Sequence, residues 1–81
     1  MAERSQAHVA FGSAIRRLRA IRAISQEELG NRSGLHRTYV GGIERGERNP
    51  SFANIVKIAD ALEVEASELI ALGEKIGGSR R

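Results

Sequence analysis

Apolar residues along the chain recur at spacings of three and four, the period of amphipathic helices, and no segment alternates like a strand for more than a few residues. The first such run predicts a helix over residues 7–22. Ser25-Gln26-Glu27-Glu28 then has the form of a capping box, in which Ser25 caps a short helix over Gln26–Ser33 and Glu28 reaches back.

Three further helices are predicted. The third covers residues 36–45 and stops at Gly46, the fourth begins after the cap residue Ser51, and the fifth runs from Glu65 to Gly73. The stripe of the first helix is Phe11, Ala14, Ile15, Leu18 and Ile21, and the broad face of the fourth is Phe52, Ile55, Val56, Ile58, Ala59 and Leu62. The fold class is therefore all-α, with five short helices. One domain spans 7–73, between a flexible N-terminus (1–6) and a flexible, basic, Gly-rich tail (74–81).

Composition excludes several classes of protein. The 81 residues include no cysteine, so disulfides, thiolate zinc sites and cysteine nucleophiles are ruled out. The two histidines fall on different predicted helices without metal-ligand spacing, and neither a glycine-rich phosphate loop nor a nucleophile motif is present. We therefore expect no enzyme, metal or cofactor. With no apolar span and no signal-peptide core, we expect no membrane association and a cytoplasmic location.

The formal net charge of +3 is unevenly distributed. Residues 1–50 carry nine arginines against five acids, whereas residues 51–72 carry one lysine against four acids. This asymmetry is compatible with a polyanion partner for the first half of the chain, but an ordinary solvated surface is the simpler interpretation of a net charge of +3. Charge alone does not separate the two.

The informative stretch is residues 25–51. Two predicted helices are separated by a turn at Gly34, which can adopt the positive φ that such a turn needs. Gly30 lies where crossing helices must approach closely, and Leu29, Leu35, Val40 and Ile43 supply apolar contacts. This spacing is typical of a DNA-binding helix–turn–helix, whose second helix enters the major groove of double-stranded DNA.

The residues at 25–29, 33–35, 43–46 and 49–51 resemble the Cro/C1 (Xre, lambda-repressor-like) helix–turn–helix family over about residues 11–72. Residues 35–49 are most similar to controller proteins of restriction–modification systems. The resemblance implies a dimeric transcriptional regulator that binds a palindromic operator and autoregulates, activating at low occupancy and repressing at high occupancy. The acidic second half is a candidate contact for RNA polymerase. The alternative is an antitoxin-type or phage-repressor-like protein with a protein partner.

The first turn of the second motif helix points outward, because Val40 and Ile43 face inward. The predicted base contacts are Arg37, Thr38, His36, Tyr39 and Gly42. The alternative for Thr38 is a phosphate contact, and Tyr39 has the chemistry either to stack or to donate to phosphate. His36 is alternatively a polar helix-start residue with no special role. Arg37 has the chemistry to pair with guanine, or it neutralises phosphate only. Gly41 and Gly42 weaken the helix, which indicates close approach either of the preceding helix at Gly41 or of DNA at Gly42. The alternative is a weak helix propensity that is tolerated because tertiary contacts hold the helix.

Phosphate contacts are predicted at helix N-termini and in the turn after the second motif helix, the predicted recognition helix (residues 36–45). They are Gln26, Ser25, Arg45, Arg48, Asn49, Ser51 and, more weakly, Arg17. The alternatives are a simple helix start for Gln26, a polar loop for the residues at 45–51 and a solvated face for Arg17.

The family resemblance also implies an ion pair between Arg19 and Glu44, which would lock the motif to the first helix. It places the dimer contact at the C-terminal end, where Val64, Leu69, Ile70 and Leu72 are the predicted interface residues. The alternative for these four side chains is that they close the core of the monomer.

Overall fold

A computed structural model describes residues 5–78, and across this range it contains five helices and no strand. The helices are α1 (Gln6–Arg22), α2 (Gln26–Ser33), α3 (Arg37–Glu44), α4 (Phe52–Ala61) and α5 (Ala66–Gly77). The predicted fold class is thus confirmed. Residues 1–4 and 79–81, which fall in the predicted flexible ends, lie outside the described residues.

Polar caps fix where the helices begin. The hydroxyls of Ser5, Ser25 and Ser51 each accept a hydrogen bond from the backbone N–H three residues later, at 3.0–3.2 Å. The expected return contact from Glu28 does not form, because its carboxylate accepts from Arg32 one turn along α2 at 2.6 Å. At α5, by contrast, the carboxylate of Glu68 does reach back to the N–H of Glu65.

The helices pack around one core of aliphatic side chains. α1 contacts α5 and α3, α2 contacts α3 and α4, and α4 contacts α5. The buried cluster is Ala14, Ile15, Ile24, Leu29, Val40, Ile43, Ile58, Ala59, Ala61, Leu62 and Leu69. Two residues predicted to face the core are exposed, since Ile21 near the end of α1 is 65% exposed and Phe52 at the start of α4 is 72% exposed.

The end of α5 differs from the prediction. Gly73 does not stop the helix, which continues through residues 74–77 and ends at Gly78 in the left-handed conformation (φ 62°). Gly73 is buried against α1, where an added Cβ would lie 3.3 Å from the Cα of Phe11. The glycine therefore serves close packing between α1 and α5, a purpose that the sequence pattern does not distinguish from a helix stop.

The boundaries of α3 and the role of Leu69 also need correction. His36 and Arg45 lie just outside α3, as its N-cap and C-cap residues. Leu69 was expected at a dimer interface, but its side chain is fully buried in the monomer. Ile70 is 39% exposed, and Val64 and Leu72 are partly buried against the core. The alternative that these residues close the monomer core therefore holds for Leu69.

Candidate nucleic-acid interface

The helix–turn–helix is held together by backbone contacts that require glycine. An added Cβ at Gly30 would lie 2.6 Å from the carbonyl oxygen of Leu35, and the N–H of Leu35 donates to the carbonyl of Gly30 at 2.9 Å. Gly34 makes the turn with φ 76°. The small residue expected at position 30 thus accommodates the turn between α2 and α3, which fixes their relative orientation.

On its inward side, α3 is joined to α1 by a buried ion pair. The Nε and Nη2 of Arg19 donate to the two carboxylate oxygens of Glu44 at 2.7 and 2.9 Å, a bidentate arrangement. The hydrogen bond with Glu44 raises the pKa of Arg19 above its usual value, while burial partly opposes that rise. Because the Glu44 side chain is only 1% exposed, this acid is part of the scaffold of α3 and is not on its outward face.

Gln26 belongs to the same polar network. Its side-chain Nε2 donates to Glu44 at 2.9 Å, so the side-chain amide, one of the groups expected to contact phosphate, is engaged within the protein. Its oxygen lies beside α3, and an added Cβ at Gly41 would be 3.1 Å from Nη1 of Arg45 and 3.4 Å from this Gln26 oxygen. The space at Gly41 is therefore shared by the side chain of Gln26, from the preceding helix, and that of Arg45, from the end of α3. The group of Gln26 that is still available to a phosphate is its backbone N–H at the start of α2.

The first turn of α3 is exposed, as expected for a surface that meets DNA. His36, Arg37 and Thr38 are all exposed. The Arg37 side chain is 66% exposed, and its Nη1 lies 4.0 Å from a carboxylate oxygen of Glu27. The Nδ1 of His36 accepts from the N–H of Thr38 at 3.1 Å, so His36 caps the helix. Of the three, Arg37 and Thr38 have side chains available to a ligand.

Gly42 is buried beneath the side chain of Arg48. An added Cβ at Gly42 would lie 2.7 Å from the Cγ of Arg48, so the glycine provides space for the arginine stem across α3. A base contact at Gly42 itself would require Arg48 to move away. Arg48 is exposed and makes no ion pair or hydrogen bond within residues 5–78. Its cationic group is thus available at this surface.

The remaining predicted phosphate contacts are exposed at the ends of α2, α3 and α4 and on α1. Arg45 is exposed and pairs with Glu47 at 3.2 Å, while Asn49 and Ser51 are exposed in the turn that leads to α4. The hydroxyls of Ser25 and Ser51 are acceptors for their own helix caps. Arg17 is exposed on α1 and, like Arg48, has no partner among the described residues.

Two hydrogen bonds at the site are not predicted by any pattern in the sequence. The Nδ2 of Asn54, on α4, donates to the hydroxyl of Tyr39 at 3.0 Å and so bridges α4 and α3. Nη1 of Arg16, on α1, donates to the carbonyl of Glu44 at the C-terminal end of α3. Both join residues far apart in sequence, so spacing along the chain does not predict them.

Other kinds of site find little support in the described part of the chain. It contains no group of three His, Asp or Glu side chains placed to hold a metal ion. None of its helices has the length and hydropathy needed to cross a bilayer. The outward face of α3 and the turn after it present the exposed side chains of Arg37, Arg45 and Arg48 on a helix that Glu44 anchors to α1.

Comparison with known proteins agrees with this geometry. A family model described as helix-turn-helix matches residues 15–69, which include α2, α3 and α4 completely. The chain belongs to the helix-turn-helix family. Within it, the chain is 46% identical over 61 residues to control protein C.BamHI of Bacillus amyloliquefaciens, an alignment covering 74% of this chain and 75% of that protein.

Another control protein and a controller protein of known structure are similarly related to this helix-turn-helix chain. Control protein C.SmaI of Serratia marcescens is 43% identical over 56 residues, covering 69% of this chain and 67% of the relative. The crystal structure of the restriction-modification controller protein C.AhdI from Aeromonas hydrophila is 54% identical with a TM-score of 0.74, covering 75% of this chain and 92% of the other. The expected family resemblance is confirmed.

Proposed function

We propose that this helix-turn-helix protein is a sequence-specific transcriptional regulator of the restriction–modification controller type. The observation that carries the proposal is the construction of α3, which is anchored on its inward side by the buried Arg19–Glu44 pair and presents Arg37 and Thr38 outward. A rigid helix with exposed donors in its first turn is suited to the major groove. The similarity to C.BamHI, C.SmaI and C.AhdI supports a controller role.

The proposed regulator is a homodimer on a palindromic operator that controls its own gene, with RNA polymerase as the further partner of the acidic second half. Two-fold operators require two recognition helices about 34 Å apart. We place the dimer contact at the C-terminal end, on exposed Ile70 with partly buried Val64 and Leu72, and remove Leu69 from it. The proposed cellular location is the cytoplasm, and no catalytic role is assigned.

Selection of duplexes from a randomised DNA pool tests the DNA-binding function. An inverted repeat whose half-sites are centred about one helical turn apart is the expected result. Binding that depends only on salt and shows no sequence preference would contradict it. A reporter fused to the protein's own upstream region then tests autoregulation, with biphasic dependence on regulator level as the expected result.

Sedimentation of Ile70→Glu tests the location of the dimer contact. The variant is expected to be folded, monomeric and weak in operator binding, because one charge per subunit would be buried at the interface. Phe52→Glu provides the comparison, since Phe52 is the most exposed large apolar side chain among those described. Dissociation by Phe52→Glu but not by Ile70→Glu would move the interface to the start of α4 and overturn this placement.

A further inference from the structure

We propose that Asn54 is a positioning residue for DNA binding, which directs the hydroxyl proton of Tyr39 toward a phosphate oxygen of the operator. The inference rests on the proposed function and assigns to it a residue outside the helix–turn–helix. It starts from the 3.0 Å hydrogen bond in which Nδ2 of Asn54, on α4, donates to the Tyr39 hydroxyl, on α3.

A tyrosine hydroxyl has one proton to donate and also accepts hydrogen bonds. Because the amide N–H of Asn54 occupies an acceptor position of this oxygen, the O–H bond is directed away from that amide. The ring itself is restrained, since Tyr39 is partly buried and packs against the core. The side chain therefore offers an oriented donor, and an anionic phosphate oxygen is a strong acceptor for it.

The location of Asn54 links this donor to a second phosphate candidate. Its backbone N–H donates to the hydroxyl of Ser51 at 3.2 Å, which places Asn54 in the first turn of α4. The same residue thus contacts the recognition helix through its side chain and the capped N-terminus of α4 through its backbone. The two hydrogen bonds of Asn54 therefore hold the Tyr39 hydroxyl and the N-terminus of α4 at a fixed distance from each other, so that both can contact the same DNA strand.

A double-mutant cycle on operator affinity tests the proposal. Tyr39→Phe, Asn54→Ala and the double variant are compared with the wild type by fluorescence anisotropy at one salt concentration, using the duplex selected from the random pool. Tyr39→Phe is expected to weaken binding about 10-fold, because a hydrogen bond to a charged acceptor is lost. Asn54→Ala is expected to weaken it a few fold in the wild type and to have no effect in the Tyr39→Phe background.

Asn54→Asp makes the test directional. A carboxylate at this position would accept the hydroxyl proton and turn it away from DNA, and its negative charge would also repel phosphate. Only the repulsion remains in the Tyr39→Phe background, so we expect a several-fold larger loss of affinity when Tyr39 is present. Asn31→Ala, on an exposed position of α2, is the matched control and is expected to leave affinity unchanged.

Thermal unfolding of each variant separates positioning from a purely structural role, with affinities measured well below every midpoint. The proposal would be overturned if Asn54→Ala lowered affinity equally in the wild type and in the Tyr39→Phe background. It would also be overturned if Asn54→Asp lowered affinity equally in these two backgrounds. Failure of the wild-type protein to select any DNA sequence would instead contradict the proposed function. The two failures are therefore distinguishable.

Discussion

The inward and outward faces of α3 are built differently. On the inward face, Val40 and Ile43 are buried, and Glu44 is held by hydrogen bonds from Arg19 and Gln26. On the outward face, the side chains at 37 and 38 are exposed, and Arg48 crosses the helix without an ionic partner among the described residues. The internal hydrogen bonds of the protein thus stabilise the position of the helix and leave the side chains of Arg37, Thr38 and Arg48 accessible to a ligand.

This contrast predicts where substitutions act. Changes on the inward side should lower the free energy of unfolding, and changes on the outward side should lower DNA affinity in a protein that remains folded. An outward substitution that destabilised the fold, or an inward substitution that lowered DNA affinity without destabilising it, would show that the two faces are coupled.

The largest effect is expected from Arg19→Met, which leaves the carboxylate of Glu44 buried without its cation. Removing one partner of a buried ion pair costs about 3–5 kcal/mol of stability, measurable by urea denaturation. Arg32→Met is the control, because the Arg32–Glu28 pair is 42% and 45% exposed and contributes less than about 1 kcal/mol. Similar losses from both variants would refute the assignment of Glu44 to the scaffold.

α5 offers the same contrast between adjacent residues. Leu69→Ala removes a fully buried side chain and should destabilise the monomer by about 2–5 kcal/mol. Ile70→Ala should reduce stability by less, because that side chain is 39% exposed. Thermal unfolding at a concentration where the protein is monomeric compares the two, and a smaller loss for Leu69→Ala would return Leu69 to the surface.

On the outward face, Arg37→Ala should weaken binding to the selected operator by about 1–3 kcal/mol and relax specificity at one base position. The free energy of unfolding should hardly change, since the side chain is 66% exposed and its nearest acid is 4.0 Å away. Binding is measured on the operator and on random DNA. An equal loss on both would reduce Arg37 to a phosphate contact.

The smallest effect is expected at Gly42. Gly42→Ala places a methyl group against the flexible stem of Arg48, 2.7 Å from its Cγ, so Arg48 must shift while the helix gains up to about 1 kcal/mol of propensity. Operator affinity should fall a few fold, and this loss should vanish in the Arg48→Ala background. Persistence of the loss in that background would mean that Gly42 itself approaches DNA.

The sequence is sufficient to predict the five helices and the helix–turn–helix motif, because caps, turn glycines and apolar periodicity are local signals. Ser25, Gly34 and Ser51 mark the helix ends as expected. Gly73 shows the limit of such signals, since a glycine that stops a helix and a glycine that permits close packing are identical in sequence. The exposure of Ile21 and Phe52 shows the same limit, because periodicity places a residue on a stripe but does not reveal where the neighbouring helix ends.

Tertiary structure decided which side chains are available to a ligand. It engages the Gln26 amide with Glu44, lays the Arg48 stem over Gly42, joins Asn54 to Tyr39, and buries Leu69 while exposing Ile70. Each of these outcomes depends on contacts between residues of different helices, and the spacing of these residues along the chain does not predict the contacts. Local rules of hydrogen bonding and periodicity determine the helices, whereas the groups available on the outward face of α3 are determined by which helices pack against one another.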